Sequence, residues 1–99
     1  MVIVGGTFEV DPGQRHEFLV SRHDMMRDSR AEPGCLEYTY SADPIEPGRV
    51  VLFERWESQE ALDSHLEALR AGPHPETAPE PRTTSIVIYD VGRERTLGG

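Results

Sequence analysis

Cysteine is almost missing from this chain: Cys35 stands alone among 99 residues. One thiol cannot close an internal disulfide, and a single free cysteine fits a reducing compartment. It reads as a small buried apolar side chain. No apolar run approaches the length of a membrane span. The opening Met1-Val2-Ile3-Val4 is apolar but has no basic leader and is too short for a signal peptide, so the expected location is cytoplasmic. Basic residues are scarce, 10 against 18 acidic ones, for a formal net charge of −8. That charge repels phosphate backbones and anionic lipid, so neither nucleic acid nor a membrane is expected as a partner. There is no Gly-rich phosphate loop to seat a nucleotide cofactor, and no Cys/His cluster with metal-ligand spacing. Hydrophobic residues make up only 36%. A chain this short forms one domain with a thin core, and a thin core points to help from a partner chain.

What the chain does carry is periodicity. Val2 to Val10 is rich in β-branched residues and reads as a strand, with Val2, Val4, Phe8 and Val10 on one face. Gly6 shares that face and marks a bulge or a close approach. Asp11-Pro12 is a helix-start signal, and one helix is expected from about Pro12 to Ala31. Its apolar arc holds Phe18, Leu19, Met25 and Met26, with Arg22 at the centre of the arc. From there Arg22 either snorkels to water or lines a pocket. His16 and His23 fall on the solvated flank. Glu32-Pro33-Gly34 stops the helix and turns the chain.

Cys35 to Ala42 is the second expected strand, with Leu36, Tyr38, Tyr40 and Ala42 on its more apolar face. Asp43-Pro44 and Pro47-Gly48 frame a turn. Arg49 to Glu57 is the third strand. Val50, Leu52, Glu54 and Trp56 share one face, and Val51 and Phe53 lie on the other, which predicts cover on both sides. Ser58 caps a helix running to about Arg70, with Ala61, Leu62, Leu66, Ala68 and Leu69 in its apolar arc. His65 lies near the centre of that arc and is predicted to face the sheet. Pro73, Pro75, Pro79 and Pro81 make 71–82 a loop. Thr83 to Val91 is the last strand, and the polar tail covers 92–99.

The order βαββαβ predicts a ferredoxin-like α+β fold, with one antiparallel sheet and two helices on one face. The single domain spans 1–99, with its core in about 1–91. The other sheet face is apolar, and the expectation is that two chains pack sheet to sheet as a homodimer.

Glu32-Pro33-Gly34-Cys35, then Tyr38 and Asp43, then Glu54-x-Trp56, then Ala61-Leu62-x-x-His65-Leu66 together resemble the antibiotic biosynthesis monooxygenase family. The resemblance runs from about residue 1 to residue 70, and the final strand also fits. It implies small dimeric ferredoxin-like proteins that oxygenate phenolic, quinol or polyketide-like substrates with O2, and it implies no cofactor: no metal, flavin or haem. The protein then supplies a base, an apolar pocket and orientation. His65 is the candidate base, because histidine titrates near neutrality and this one faces inward. Its bland alternative is a core histidine with satisfied hydrogen bonds. Trp56 stacks on a planar substrate or donates through its indole, or else simply packs. Glu54, on the same face, orients His65 or forms a structural salt bridge with Arg22. Tyr38 and Tyr40 hydrogen-bond a phenolate or pack in the core. Tyr38, Tyr40, Glu54 and Arg22 are thus the candidate substrate-binding residues, around a cavity expected between sheet and helices.

The same fold houses isomerases of small carbonyl compounds and ligand-binding stress proteins, which form the alternative. Haem-degrading relatives are a minor one. They place an axial histidine in a later helical region and an asparagine on the first strand. Here His74 sits among prolines, and the first strand reads Gly5, Gly6, Thr7.

Overall fold

Val2, Val4 and Phe8 point to one side of the first strand, β1 (Val2–Glu9), and all three are buried, as is Val10 just beyond it. The computed structural model describes residues 1–72 and 78–98. Pro73, His74 and Pro75 of the expected proline-rich loop lie outside the described residues.

Asp11 accepts the Gly13 amide at 2.8 Å on its Oδ1, and Pro12 opens a 3-10 turn, Pro12–Gln14. The single helix expected from there is split. It forms α1 (Arg15–Ser21) and α2 (His23–Arg30), with Arg22 at the break. The cause is local. The Ser21 hydroxyl donates to the Phe18 carbonyl at 2.6 Å, and the Arg22 amide bonds Leu19 O at 3.1 Å, three residues back rather than four. Back-bonding hydroxyls of this kind bend helices. The apolar arc survives the break, with Phe18 buried and Leu19, Met25 and Met26 packed against the core.

The second strand, β2 (Cys35–Ala42), carries a bulge between Cys35 and Glu37. Cys35 pairs with Trp56, and Glu37 pairs with Arg55. Leu36 is therefore the extra residue and is exposed, not on the inward face expected for it, while Cys35 packs against the core. One inserted residue shifts the face of everything before it. The third strand, β3 (Arg49–Trp56), buries Val50, Leu52, Glu54 and Trp56. Ser58 caps α3 (Gln59–Ala71), its Oγ accepting the Ala61 amide at 3.1 Å. Leu62 and His65 are the buried residues of α3.

The last strand, β4 (Thr83–Asp90), completes an antiparallel sheet of order β2-β3-β1-β4. Each helical connection carries the chain over one intervening strand, as the ferredoxin-like fold requires. All eight residues of β4 are exposed. The cover expected on both sides of β3 is met on the helix side only, and on β4 even Ile86 and Ile88, which pair with Gly6 and Val4 on the helix side, are exposed. On the open side Phe53, Val87 and Tyr89 face solvent around a shallow groove of about 320 Å³ that runs over Gly5 and Thr7. No described helix is long and apolar enough to cross a membrane.

Candidate active site

Strand alternation sends Glu54 and Trp56 to the same face, and that face lies under the helices. The Trp56 indole N–H donates to Glu54 Oε1 at 2.9 Å, two residues back along β3. Helical periodicity brings His65 down from α3 onto the same spot. Its ring centroid lies 4.6 Å from that of Trp56 and 5.2 Å from that of Tyr38, edge-on to the phenol. Trp56, Tyr38 and His65 are each 2% exposed or less, and Glu54 is 5% exposed. The cavity expected between sheet and helices is thus occupied by the rings themselves.

The imidazole is hydrogen-bonded at one nitrogen and faces a second carboxyl group with the other. Nδ1 lies 2.9 Å from Glu32 Oε2, and Nε2 lies 3.9 Å from Glu54 Oε1. Glu32 reaches this position from the turn after α2. The Glu32 amide donates to Ser29 O, the Cys35 amide donates to Glu32 O, and the Glu57 amide donates to Gly34 O at 2.9 Å. On its far side Glu32 lines a groove of about 490 Å³ with Gly34, Glu57, Glu60, Ala61 and Ser64. Glu32, His65, Glu54 and Trp56 therefore line up from an open groove to the core, with hydrogen bonds at the Glu32–His65 and Glu54–Trp56 contacts.

Burial sets the protonation tendencies of this cluster. Loss of water pushes the Glu54 carboxyl up, the Trp56 hydrogen bond and His65 pull it down, and the charge of Glu32 raises it. Tyr38 is also pushed well up, chiefly by burial, so its hydroxyl stays protonated and donates to Met25 Sδ at 3.3 Å. Burial and the Glu32 charge raise the Cys35 thiol.

Tyr40 and Arg22 belong to a neighbouring cluster. The Arg22 guanidinium lies 4.6 Å from the centroid of Phe18 and 5.9 Å from that of Tyr40, and its buried Nε has no hydrogen-bond partner among the described residues. Tyr40 packs 5.6 Å from Phe8, and its hydroxyl is raised by burial, with Arg22 pulling the other way. The salt bridge weighed for Glu54 and Arg22 does not form. Glu54 bonds the indole, and Arg22 stacks on an aromatic face. His65, Trp56, Glu54 and Tyr38 thus meet at one place, beside which Arg22 and Tyr40 stand. Glu32 joins them, although in the sequence it reads as a helix stop and part of the family resemblance, not as a partner of His65. The contact with His65 spans 33 residues, and no local period reports it. Among the described residues, no group of three or more His, Cys, Asp or Glu is arranged to hold a metal ion.

Comparison with known proteins bears on the same region. Residues 1–72 match the family described as antibiotic biosynthesis monooxygenase. The uncharacterized protein sll1783 of Synechocystis is 30% identical over 98 residues, covering 97% of this chain and 67% of that protein. Rv0793 of Mycobacterium tuberculosis superposes with a TM-score of 0.71 at 27% identity, over 96% of this chain and 98% of its own. A Deinococcus radiodurans protein, provisionally assigned as an antibiotic biosynthesis monooxygenase, gives a TM-score of 0.78 at 22% identity with both chains fully covered.

Proposed function

The chain belongs to the antibiotic biosynthesis monooxygenase family, and from that premise we propose that it oxidises a small phenolic, hydroquinone or polyketide-like substrate with O2, needing no cofactor. The observation that carries this reading is the buried His65, bonded to the Glu32 carboxylate, facing the Glu54 carboxyl and tilted 35° against the Trp56 ring. A buried titratable cluster costs folding free energy unless its members are paired, and such clusters gather where proton chemistry is done.

In this reading His65 is the catalytic base. Its Nε2 takes the phenolic proton, and the indole of Trp56 offers a flat apolar surface for the ring. The resulting anion passes one electron to dioxygen. The radical pair recombines at carbon to a peroxide, which recovers the proton from the imidazolium. Loss of water from that hydroperoxide leaves a carbonyl, so one oxygen atom enters the product and the other leaves as water. Tyr38, Tyr40, Glu54 and Arg22 bind and orient the substrate. Because the rings close the site, substrate entry parts α3 from the sheet. The apolar open face of the sheet supports a homodimer packed face to face, and the single thiol supports a cytoplasmic setting.

The test is oxygen consumption during aerobic incubation with a panel of hydroquinones, wild type against His65→Ala. A proton-transfer role predicts a loss of about 100-fold or more in the variant. Equal rates remove His65 from the mechanism. Ligand binding without oxygen uptake transfers the protein to the binding-protein reading, oxygen-independent turnover transfers it to the isomerases, and a Soret band on haem addition revives the haem branch.

A further inference from the structure

A base buried this deeply is defined by which of its two nitrogens carries the hydrogen. The two carboxylates beside His65 are not equivalent. The Glu32 side chain is 25% exposed and borders the open groove. The Glu54 side chain is 7% exposed, and burial drives its carboxyl toward the neutral form. A charged carboxylate 2.9 Å from Nδ1 is within hydrogen-bond range and demands a donor there. The 3.9 Å from Nε2 to Glu54 Oε1 is too long for a hydrogen bond, and that oxygen already accepts from Trp56.

We infer that Glu32 is the positioning residue of His65: it holds the ring hydrogen on Nδ1 and so turns the bare lone pair of Nε2 toward Glu54 and Trp56. Glu32 does not touch the substrate. It fixes the tautomer and the ring plane, and it stabilises the imidazolium that forms when Nε2 takes a proton, the same division of labour as in an acid–histidine pair of a hydrolase. The geometry has a backbone cause. The Glu-Pro-Gly turn is pinned by the amides of Glu32, Cys35 and Glu57, so the carboxylate arrives on the imidazole from a fixed direction.

The assignment of the role rests on His65 being the base, but the tautomer is measurable without any substrate. Long-range proton–nitrogen correlation on the uniformly 15N-labelled protein, at a pH where the ring is neutral, is expected to show Nδ1 protonated and Nε2 bare. Glu32→Ala is expected to shift the ring toward Nε2–H, and to lower kcat on the order of 100-fold with KM changed less than about threefold. A wild-type ring protonated at Nε2 overturns the inference. So does a Glu32→Ala protein with an unchanged tautomer and unchanged kcat. If Glu32→Ala does not fold, as judged by near-ultraviolet circular dichroism, the wild-type tautomer decides alone. A wild type that shows Nδ1–H but turns over no phenol ends the monooxygenase reading and leaves the tautomer assignment standing.

Discussion

A Cβ atom placed on Gly34 would lie 2.6 Å from the Cβ of Ala61 on α3. Gly34 also has φ of +85°, the left-handed region that side chains avoid. The turn that delivers Glu32 to His65 therefore depends twice on the absence of a side chain, once for its own backbone and once for the approach of α3. Gly34→Ala should cost about 1–2 kcal/mol from backbone strain alone, and more because α3 must move away. Urea unfolding followed by Trp56 fluorescence reads the stability. The nitrogen spectrum of His65 in the folded variant reads whether the Glu32 contact loosens with it. A midpoint equal to wild type would show that the turn adapts at no cost.

Glu54 is expected to give the protein a pH-dependent stability of a particular sign. Its folded carboxyl is raised above the ordinary value of 4.5, first by burial. A raised carboxyl binds its proton more tightly in the native state than in the unfolded one. Its contribution is fully present below the unfolded value and falls away as pH rises through the folded one. Glu54→Gln keeps an acceptor for the indole and removes the titration, so its stability should decline less than that of wild type from acid to neutral pH. Glu54→Ala instead strands the Trp56 N–H, a loss of about 1–3 kcal/mol at every pH. Denaturant midpoints across that range separate the two variants. Parallel curves for wild type and Glu54→Gln would show that Glu54 does not titrate in the range.

The sheet was legible in the sequence where its alternation is strict. Val2, Val4 and Phe8 on β1, and Val50, Leu52, Glu54 and Trp56 on β3, announce their common face by parity alone. Ser58 announces the start of α3, and the arc of α3 aims His65 inward. Two features escape this kind of reading. The break at Arg22 leaves the apolar arc intact, so periodicity cannot distinguish a bond to Leu19 from a regular helical one. The bulge at Leu36 exchanges the faces of Leu36 and Cys35, and no residue type there forbids the regular strand. The candidate site is half legible for the same reason. Glu54, Trp56 and His65 follow from local periods, whereas Glu32 reaches His65 only because the folded turn packs on α3. Pairing Arg22 with Glu54 was a matching of charges, and the indole lying two residues along the strand takes that carboxylate instead.

Asp43 holds the β2–β3 connection, and its effect with pH runs opposite to that of Glu54. Its Oδ1 accepts the amides of Ile45 at 2.8 Å and Glu46 at 3.0 Å, and its Oδ2 meets Arg49 Nη1 at 2.7 Å. The Glu46 and Ile45 amides, followed by Arg49, lower the carboxyl from the ordinary 3.8 to about 2. Its stabilisation is present above the unfolded value and is lost as pH falls through about 2. Asp43→Ala should therefore be less stable than wild type at neutral pH, with the gap closing in acid. Thermal unfolding of both proteins along an acid series checks this. A gap that persists unchanged below the folded value would assign the loss to packing rather than charge.

The open face of the sheet leads to a prediction about assembly. Gly5 on β1 faces Phe53 on one side and Val87 on the other in the strand register, and Tyr89 lies over it, 3.3 Å from where a Cβ would stand. Phe53, Val87 and Tyr89 are exposed in the single chain, next to a core already thin for the chain length. Burying each such side chain gains about 1.5–3 kcal/mol, so a second copy laid on this face supplies apolar burial that the monomer lacks. In a two-fold dimer every substitution appears twice, once on each chain. Val87→Glu thus introduces two carboxylates into one apolar interface, each without a partner, and should separate the chains. Multi-angle light scattering is expected to return a dimer mass for wild type and a monomer mass for Val87→Glu, with the helix-side core unaffected because Val87 faces away from Trp56 and His65. A wild type that is monomeric at micromolar concentration would remove the dimer from the proposal and leave the exposed face without an occupant.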